Sequence, residues 1–533
     1  MIESPHSSPS AVWYFLLAAA LYLLTAGWNL SGQSISNPEE ARYACAARQM
    51  LRDGEWIVPR FNGDVRLVKP ILFYWVIAAT GKIGTMLGLG LLTGMRLGPL
   101  SMGLFAIAAT FLITRKLTNG SARAGFVAAV VLMTCNEFHK LSREVVIEMT
   151  ITALLTWAWY FALVALDRIA ATARAWAPLL GFYVCLGLAC MAKGPLPVAG
   201  FVVLPFLVYL AMTKRLNHLS RAGLWWGVPL TIAVGFWWFY LLDRIGHRNG
   251  ISEFFVQENL YRILGEQDPL IPVALHIHPW PWLRYFVWMP EGFAPWILAV
   301  PLMLWYVHKK RQAGSAWIVT DAAKFILCAE IVAFAIIGLS ASKRTLYLLP
   351  LYPPFAIWAG WIFNDVFATN ETGQALSSAY SFRLKMVYAV LGLALALALA
   401  YEIVLVPKRE KALGNVAFFA ALASHLDGRK LVTLNESANE AVWYLDLDKP
   451  IVKLNYPGLK EKFFEAENTV LLLKGKDLVK TAELKPALRF IAGFECKRGK
   501  DTYSLATPDP DHKPDPKLFE HKSKDSGKET GDD

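Results

Sequence analysis

The chain has 533 residues, a mean hydropathy of +0.37 and only 18% charged residues, against about 25% in an ordinary soluble chain. A water-soluble fold is excluded, and repeated apolar runs near 20 residues indicate a polytopic membrane protein. The net charge of +11 belongs in such a chain to cytoplasmic loops beside anionic lipid, and calls for no nucleic acid.

In chain order, the apolar run at 11–30 is too long for a cleavable signal and no small-residue cleavage site follows it, so it is read as a span. "SNPEEARYACAARQML" follows at 36–51. Asn37 suits an N-cap, Pro38 the first helical position and Glu40 the third; acids in a first turn are favoured by the helix dipole. A plain capped helix therefore accounts for this stretch locally. Further apolar runs fall at 97–114, 122–138, 148–167, 177–192, 196–212, 223–242, 290–307, 322–341, 346–364 and 384–405, and 70–92 is ambiguous. Arg115, Lys116 and Arg123 share one loop, Arg168 and Arg174 another, Lys214, Arg215 and Arg221 a third, and Lys309, Lys310 and Arg311 a fourth. The positive-inside rule puts all four on the cytoplasmic side only if 70–92 makes no net crossing. That segment is therefore expected to be a juxtamembrane or re-entrant helix. The count is then about 11 spans (roughly 11–13), with a cytoplasmic N-terminus. The loops at 31–96, 139–147, 193–195, 243–289 and 342–345 face outward.

Past residue 405 the character changes. "KLVTL" (430–434), "IVKLN" (451–455), "TVLLLK" (469–474) and "LRFIAGF" (488–494) read as strands alternating with helices. The expected fold is an all-α polytopic membrane domain over 1–405, then a small extracytoplasmic α/β domain over 406–507. The Pro- and charge-rich tail, 508–533, is expected to be disordered. The six cysteines form no CxxC pair, which supports neither a disulfide framework nor a cysteine zinc site.

With this topology, ionisable residues gather on the outer side: Glu39, Glu40, Arg42, Arg66 and Lys69, then Arg143, Glu144 and Glu148, then Lys193, then Lys343 and Arg344. Charges at bilayer depth are costly and mark a pathway or a site. Ordinary explanations compete. Lys193 could be a snorkelling span-end lysine, Arg143 and Glu144 interfacial caps, and most tryptophans interfacial anchors.

The ordered motifs resemble those of the bacterial lipid A aminoarabinose transferases and the related protein O-mannosyltransferases, in the GT-C class of membrane glycosyltransferases. They are Glu39–Glu40–Ala41–Arg42–Tyr43, Gly54–Glu55–Trp56–Ile57–Val58–Pro59, Asn62–Gly63, Lys69–Pro70, "AKGP" at Ala192–Pro195, His276–Pro279 and Ser342–Pro350. Together they cover roughly residues 10–365 in family order. The resemblance implies a multi-pass inner-membrane enzyme with its active site outside. It would move a hexose or pentose from a polyprenyl-phosphate donor to a hydroxyl of an envelope lipid, glycan or protein, with no other cofactor. By the same resemblance Glu39 is the general base and Glu148 a second carboxylate. Lys69, Lys343 and Arg344, with Lys193 and Arg42, are the cations for the leaving phosphate, and Glu40, Tyr43 and His276 are further substrate contacts.

Two departures bear on this reading. The family has Asp where this chain has Glu39 and Glu148, so each side chain is one methylene longer. The acid and the loop His that hold a metal in the aminoarabinose transferases correspond to Val68 and Asn259, so no metal is expected; His276 and His278 read as loop residues. Two other functions fit parts of the pattern. A secondary transporter would use a broken helix at Gly194–Pro195, although no paired half is evident. A non-catalytic, lipid-binding family member would treat the Asp-to-Glu changes as marks of lost activity.

Overall fold

The computed structural model describes residues 9–252, 254–256, 283–312, 320–339, 343–367, 378–434, 439–447, 450–454, 459–475, 482–512 and 514. The chain divides into two compact units. One comprises Met1–Leu30, Leu67–Gly265 and Trp280–Glu402; the other comprises Ser31–Arg66, Glu266–Pro279 and Ile403–Asp533.

The first unit is built on α1 (Pro9–Ala26), α3 (Leu72–Met86), α4 (Leu91–Leu117), α5 (Ala122–Thr134), α6 (Asn136–Leu141), α7 (Glu148–Ala170), α8 (Trp176–Lys193), α9 (Pro195–Met212) and α10 (Leu224–Arg244). Then come α11 (Leu283–Gly292), α12 (Val300–Gln312), α13 (Asp321–Ile326), α14 (Ala333–Gly338), α15 (Tyr352–Phe367) and α16 (Ser378–Ala400). Among the described residues eight helices are long and apolar enough to cross a membrane, or nine if α11 and the helical stretch at 296–312, bent by 104°, count as one span. They coincide with nine of the eleven expected segments. Two fall short for physical reasons. α5 has 13 residues, about 20 Å against a hydrocarbon core of about 30 Å. The stretch from α13 to α14 carries Asp321, Lys324 and Glu330. α3, within the ambiguous 70–92, is 15 residues long, about 22 Å. It folds back on α4, where a Cβ on Gly84 would lie 2.4 Å from Gly94 Cα. The core is a continuous apolar cluster that includes Tyr22, Phe111, Val130, Leu155, Trp159 and Phe355. Two buried polar edges are satisfied across the core: Tyr22 donates to the Leu100 carbonyl at 3.0 Å, and the Trp159 indole to that of Phe201 at 3.0 Å.

The second unit contains a five-stranded mixed sheet of order β4-β3-β5-β7-β6, from β3 (Lys430–Leu434), β4 (Val452–Leu454), β5 (Thr469–Lys474), β6 (Leu488–Arg498) and β7 (Asp501–Pro508). β3 pairs in parallel with β4 and β5; β7 is antiparallel to β5 and β6. Alternate residues feed two cores: Leu431, Val470 and Leu472 pack with Phe418 and Phe419, while Val432, Leu471 and Leu473 pack with Leu459 and Phe463. The four expected strands are present, and β7 adds a fifth. The same unit takes in α2 (Pro38–Asp53) and the hairpin of β1 (Arg60–Phe61) and β2 (Asp64–Val65). Asn62, at the hairpin tip, donates to Ile451 O at 2.7 Å and accepts from Ile451 N–H at 2.9 Å. Arg48 donates to the Val442 and Trp443 carbonyls, each at 2.8 Å, and stacks over the Trp443 ring. The Ile35 N–H donates to Tyr444 Oη at 2.7 Å. All six cysteines are free. Most of the expected tail, from 515 on, lies outside the described residues.

Candidate active site

In the helical unit, α7 begins at Glu148 and α8 ends at Lys193. An acid at a helix N-terminus and a cation at a C-terminus are each favoured by the backbone dipoles. The packing of α7 against α8 makes one pair of the two: Lys193 Nζ lies 3.0 Å from Glu148 Oε1, with the side chains 13% and 8% exposed. Lys193 also lies 5.0 Å from the centre of the Tyr347 ring. Tyr347 belongs to a 3-10 turn, Thr345–Leu351, packed on α7. Just before that turn come Lys343 and Arg344. Lys343 donates to the Gly338 carbonyl, at the end of α14, at 3.1 Å and lies 5.6 Å from the Tyr285 ring centre. Burial pushes the Lys343 ammonium below the usual lysine range. Glu137 of α6 is buried near Glu148, with Lys140 at 3.8 Å. Glu148, Lys193, Lys343 and Arg344, expected on the outer side, thus share one neighbourhood, walled by Tyr285 and Tyr347. Lys69 is half-buried in the same unit, just before α3.

Next to this neighbourhood lies a buried network that the sequence reading did not assemble. Arg143 is 1% exposed. It donates to the carbonyls of Ala26 (2.6 Å), the last residue of α1, and Trp28 (2.7 Å), just beyond it, and pairs with Glu402 at 2.6 Å. Glu402 also meets His139 Nε2 at 3.0 Å. Arg143 therefore closes a helix C-terminus from a distance. The available signal was Glu402 itself, a lone acid within the apolar run at 384–405.

In the second unit, α2 starts as its sequence suggests: Asn37 Oδ1 accepts from the Glu39 N–H at 3.0 Å, with Pro38 at the first position. The left-handed Gly54 (φ 71°) ends the helix. Glu40 is 1% exposed. Glu39, 23% exposed, lies between two arginines, 3.1 Å from Arg42 and 3.6 Å from Arg66. Arg66 in turn lies 5.9 Å from the Tyr43 ring centre. Glu39, Arg42, Tyr43 and Arg66 thus form one cluster; Arg66 was noted as an outer-loop cation but given no role. His276, and with it Asn259, lies outside the described residues. Among the described residues no three His, Cys, Asp or Glu side chains gather as metal ligands.

Residues 11–249 match the family of dolichyl-phosphate-mannose-protein mannosyltransferases. An uncharacterized protein of Aquifex aeolicus is 27% identical over 398 residues, covering 73% of this chain and 70% of that one. The undecaprenyl phosphate-alpha-4-amino-4-deoxy-L-arabinose arabinosyl transferase 2 of Pseudomonas fluorescens is 29% identical over 351 residues, 63% of this chain and 54% of its own length. ArnT from Cupriavidus metallidurans, solved with undecaprenyl phosphate, superposes with a TM-score of 0.69 over 94% of this chain and 98% of that one, at 17% identity. In sequence over these stretches, and in fold, the chain is similar to the GT-C membrane glycosyltransferases of the aminoarabinose transferase and protein mannosyltransferase type. The ArnT likeness, at that identity, is one of fold. The chain spans 54–61% of the length of the first named aminoarabinose transferases it matches. It is a multi-pass membrane protein.

Proposed function

We propose that this GT-C protein transfers a sugar from a polyprenyl-phosphate donor to a hydroxyl of an envelope lipid, glycan or protein, on the outer face of the inner membrane. The observation that carries the reading is the outer-end neighbourhood of Lys193, Lys343 and Arg344, walled by tyrosines, in a membrane fold shared with ArnT. In the reaction, the bond from the anomeric carbon to the phosphate oxygen breaks and a bond to the acceptor oxygen forms. The acceptor proton goes to a carboxylate, and the electron pair leaves on the lipid phosphate. Phosphate is a good leaving group once its charge is met, so cations take the place of a proton donor. Lys343 and Arg344, with Lys193 steadied by Glu148 and with Lys69, are assigned to that phosphate. Glu39 is assigned as general base, oriented by Arg42 and Arg66; a base of this kind is worth about 100- to 10,000-fold in rate. Glu40 and Tyr43 shape the start of α2, and His276 is assigned to the substrate from the long outer loop. The named relatives act with an aminopentose or with mannose, so both are candidate sugars.

The test uses membranes containing the full chain and donor lipid labelled in its sugar, as undecaprenyl-phosphate aminoarabinose and, separately, a polyprenyl-phosphate mannose. Label passing from one donor to an envelope acceptor supports the proposal and selects the sugar. Label staying on both lipids, with the chain folded and acceptor extract present, overturns it.

A further inference from the structure

The ends of α7 and α8 far from Glu148 and Lys193 hold a second concavity. α7 has 23 residues, about 35 Å, so this place is separate from the outer-end cluster. It has two parts. A crevice of about 160 Å³ runs between α7, α8, α9 and α10, walled by Leu166, Phe182, Leu186, Phe206, Leu210 and Val228. Ile169 and Leu179 form its rim, and they also line a wider cleft of about 530 Å³ with Thr172, Ser220, Arg221 and Trp226. The walls are fixed. Tyr183 donates to the Ala222 carbonyl at 2.8 Å. Gly227 lets α10 ride over the Tyr183 ring, since a Cβ there would fall 2.0 Å from a ring carbon.

The chemistry of the two parts differs. The crevice is apolar and narrow, and an apolar cavity of this kind does not hold water well. The cleft carries Arg221, exposed and without an acidic partner among the described residues; Arg174 belongs to the α7–α8 loop that lines it, and Arg168 to the last turn of α7. The acids at this end are occupied: Asp321 pairs with Arg215 at 2.8 Å, and Asp167 pairs with Lys116. Trp176 (64% exposed) and Trp225 (83% exposed) stand at the cleft, as indoles do at a headgroup boundary. An apolar slot opening into a cationic, indole-flanked cleft complements a molecule with an acyl chain and an anionic head. By the positive-inside rule this end faces the leaflet beside the cytoplasm, whose lipids are in part anionic. We infer that this concavity is a binding site for one anionic phospholipid, its head against Arg221 and one acyl chain between α7, α8 and α10.

The test is native mass spectrometry of the purified full chain with phosphatidylglycerol and phosphatidylcholine of identical acyl chains. Wild type keeps one phosphatidylglycerol in preference to phosphatidylcholine. Arg221→Gln lowers that preference about fivefold, and adding Arg174→Gln lowers it further. Leu179→Trp, which fills the shared rim, releases both lipids while the far-ultraviolet spectrum and melting behaviour stay those of wild type; should it misfold, the arginine variants decide alone. Equal retention of the two lipids by wild type overturns the inference. So does a preference that survives both arginine substitutions, or displacement of the lipid by millimolar glycerol 1-phosphate.

Discussion

Lys193→Met separates a structural pair from a site. It leaves the Glu148 carboxylate, 8% exposed, without the ammonium 3.0 Å away. Breaking a buried pair from one side costs about 3–5 kcal/mol. The deficit should therefore be about 3–5 kcal/mol at pH 7. Lys193→Met with Glu148→Gln removes the charge altogether and should recover most of the stability at every pH. Equilibrium unfolding in mixed micelles reads all three proteins. Donor KM, measured alongside, should rise in the single and the double variant alike if Lys193 also meets the donor phosphate. A Lys193→Met protein within about 0.5 kcal/mol of wild type at pH 7, or a double variant no more stable than the single one, refutes the reasoning from burial.

Glu39→Gln should lower turnover about 100- to 10,000-fold with the melting temperature kept, and Glu39→Asp should stay active; steady-state assays with labelled donor check both. Because burial lowers the pKa of the Lys343 ammonium, its charge is lost at a pH below the usual lysine range. Donor KM should rise on the alkaline side below about pH 10.5, and Lys343→Arg should move that limb upward. The motif resemblance puts Val68 in place of a metal-holding acid, so prolonged treatment with a chelator should leave transfer unchanged, as metal analysis and activity together will show. Asn62→Ala removes both hydrogen bonds to Ile451 and should cost about 1–3 kcal/mol, read as faster tryptic cleavage within 31–66.

Much of the helical unit was legible because a span advertises itself by length and apolarity alone. α2 was legible from Asn37, Pro38 and Glu40, and four strands from their β-branched and leucine-rich runs. β7, "DTYSLATP", escaped because its alternation is mostly polar and it ends on proline. The packing of Ser31–Arg66 with the sheet unit was also hidden. It rests on single long-range bonds, Asn62 to Ile451 and Arg48 to Trp443, between residues nearly 400 apart in the chain, and no local pattern records such pairings. The Arg143–Glu402–His139 network was hidden for the same reason, although a solitary acid within an apolar run hinted that Glu402 had a partner.

The acidic pair at the start of α2 satisfies two demands with two residues. Neighbouring helical positions point about 100° apart, and the fold uses that divergence: Glu40 turns into the unit at 1% exposure, while Glu39 stays partly open between Arg42 and Arg66. A capped helix accounts for an acid at the third position and for a mild preference at the second. It does not call for two arginines on the second acid. Partly exposed ion pairs contribute only about 0–1 kcal/mol to stability, so the bracket around Glu39 is poorly explained as a stabilising device. What two cations do supply is a fixed orientation for the carboxylate, and a general base depends on orientation more than on the strength of its contacts. The extra methylene of Glu over Asp makes that restraint more useful, because a longer side chain has more rotamers to exclude. Under the proposed assignment of Glu39 as general base, Arg66, which follows the β1–β2 hairpin and lies 3.6 Å from Glu39, would be the residue through which the packing of 31–66 bears on chemistry.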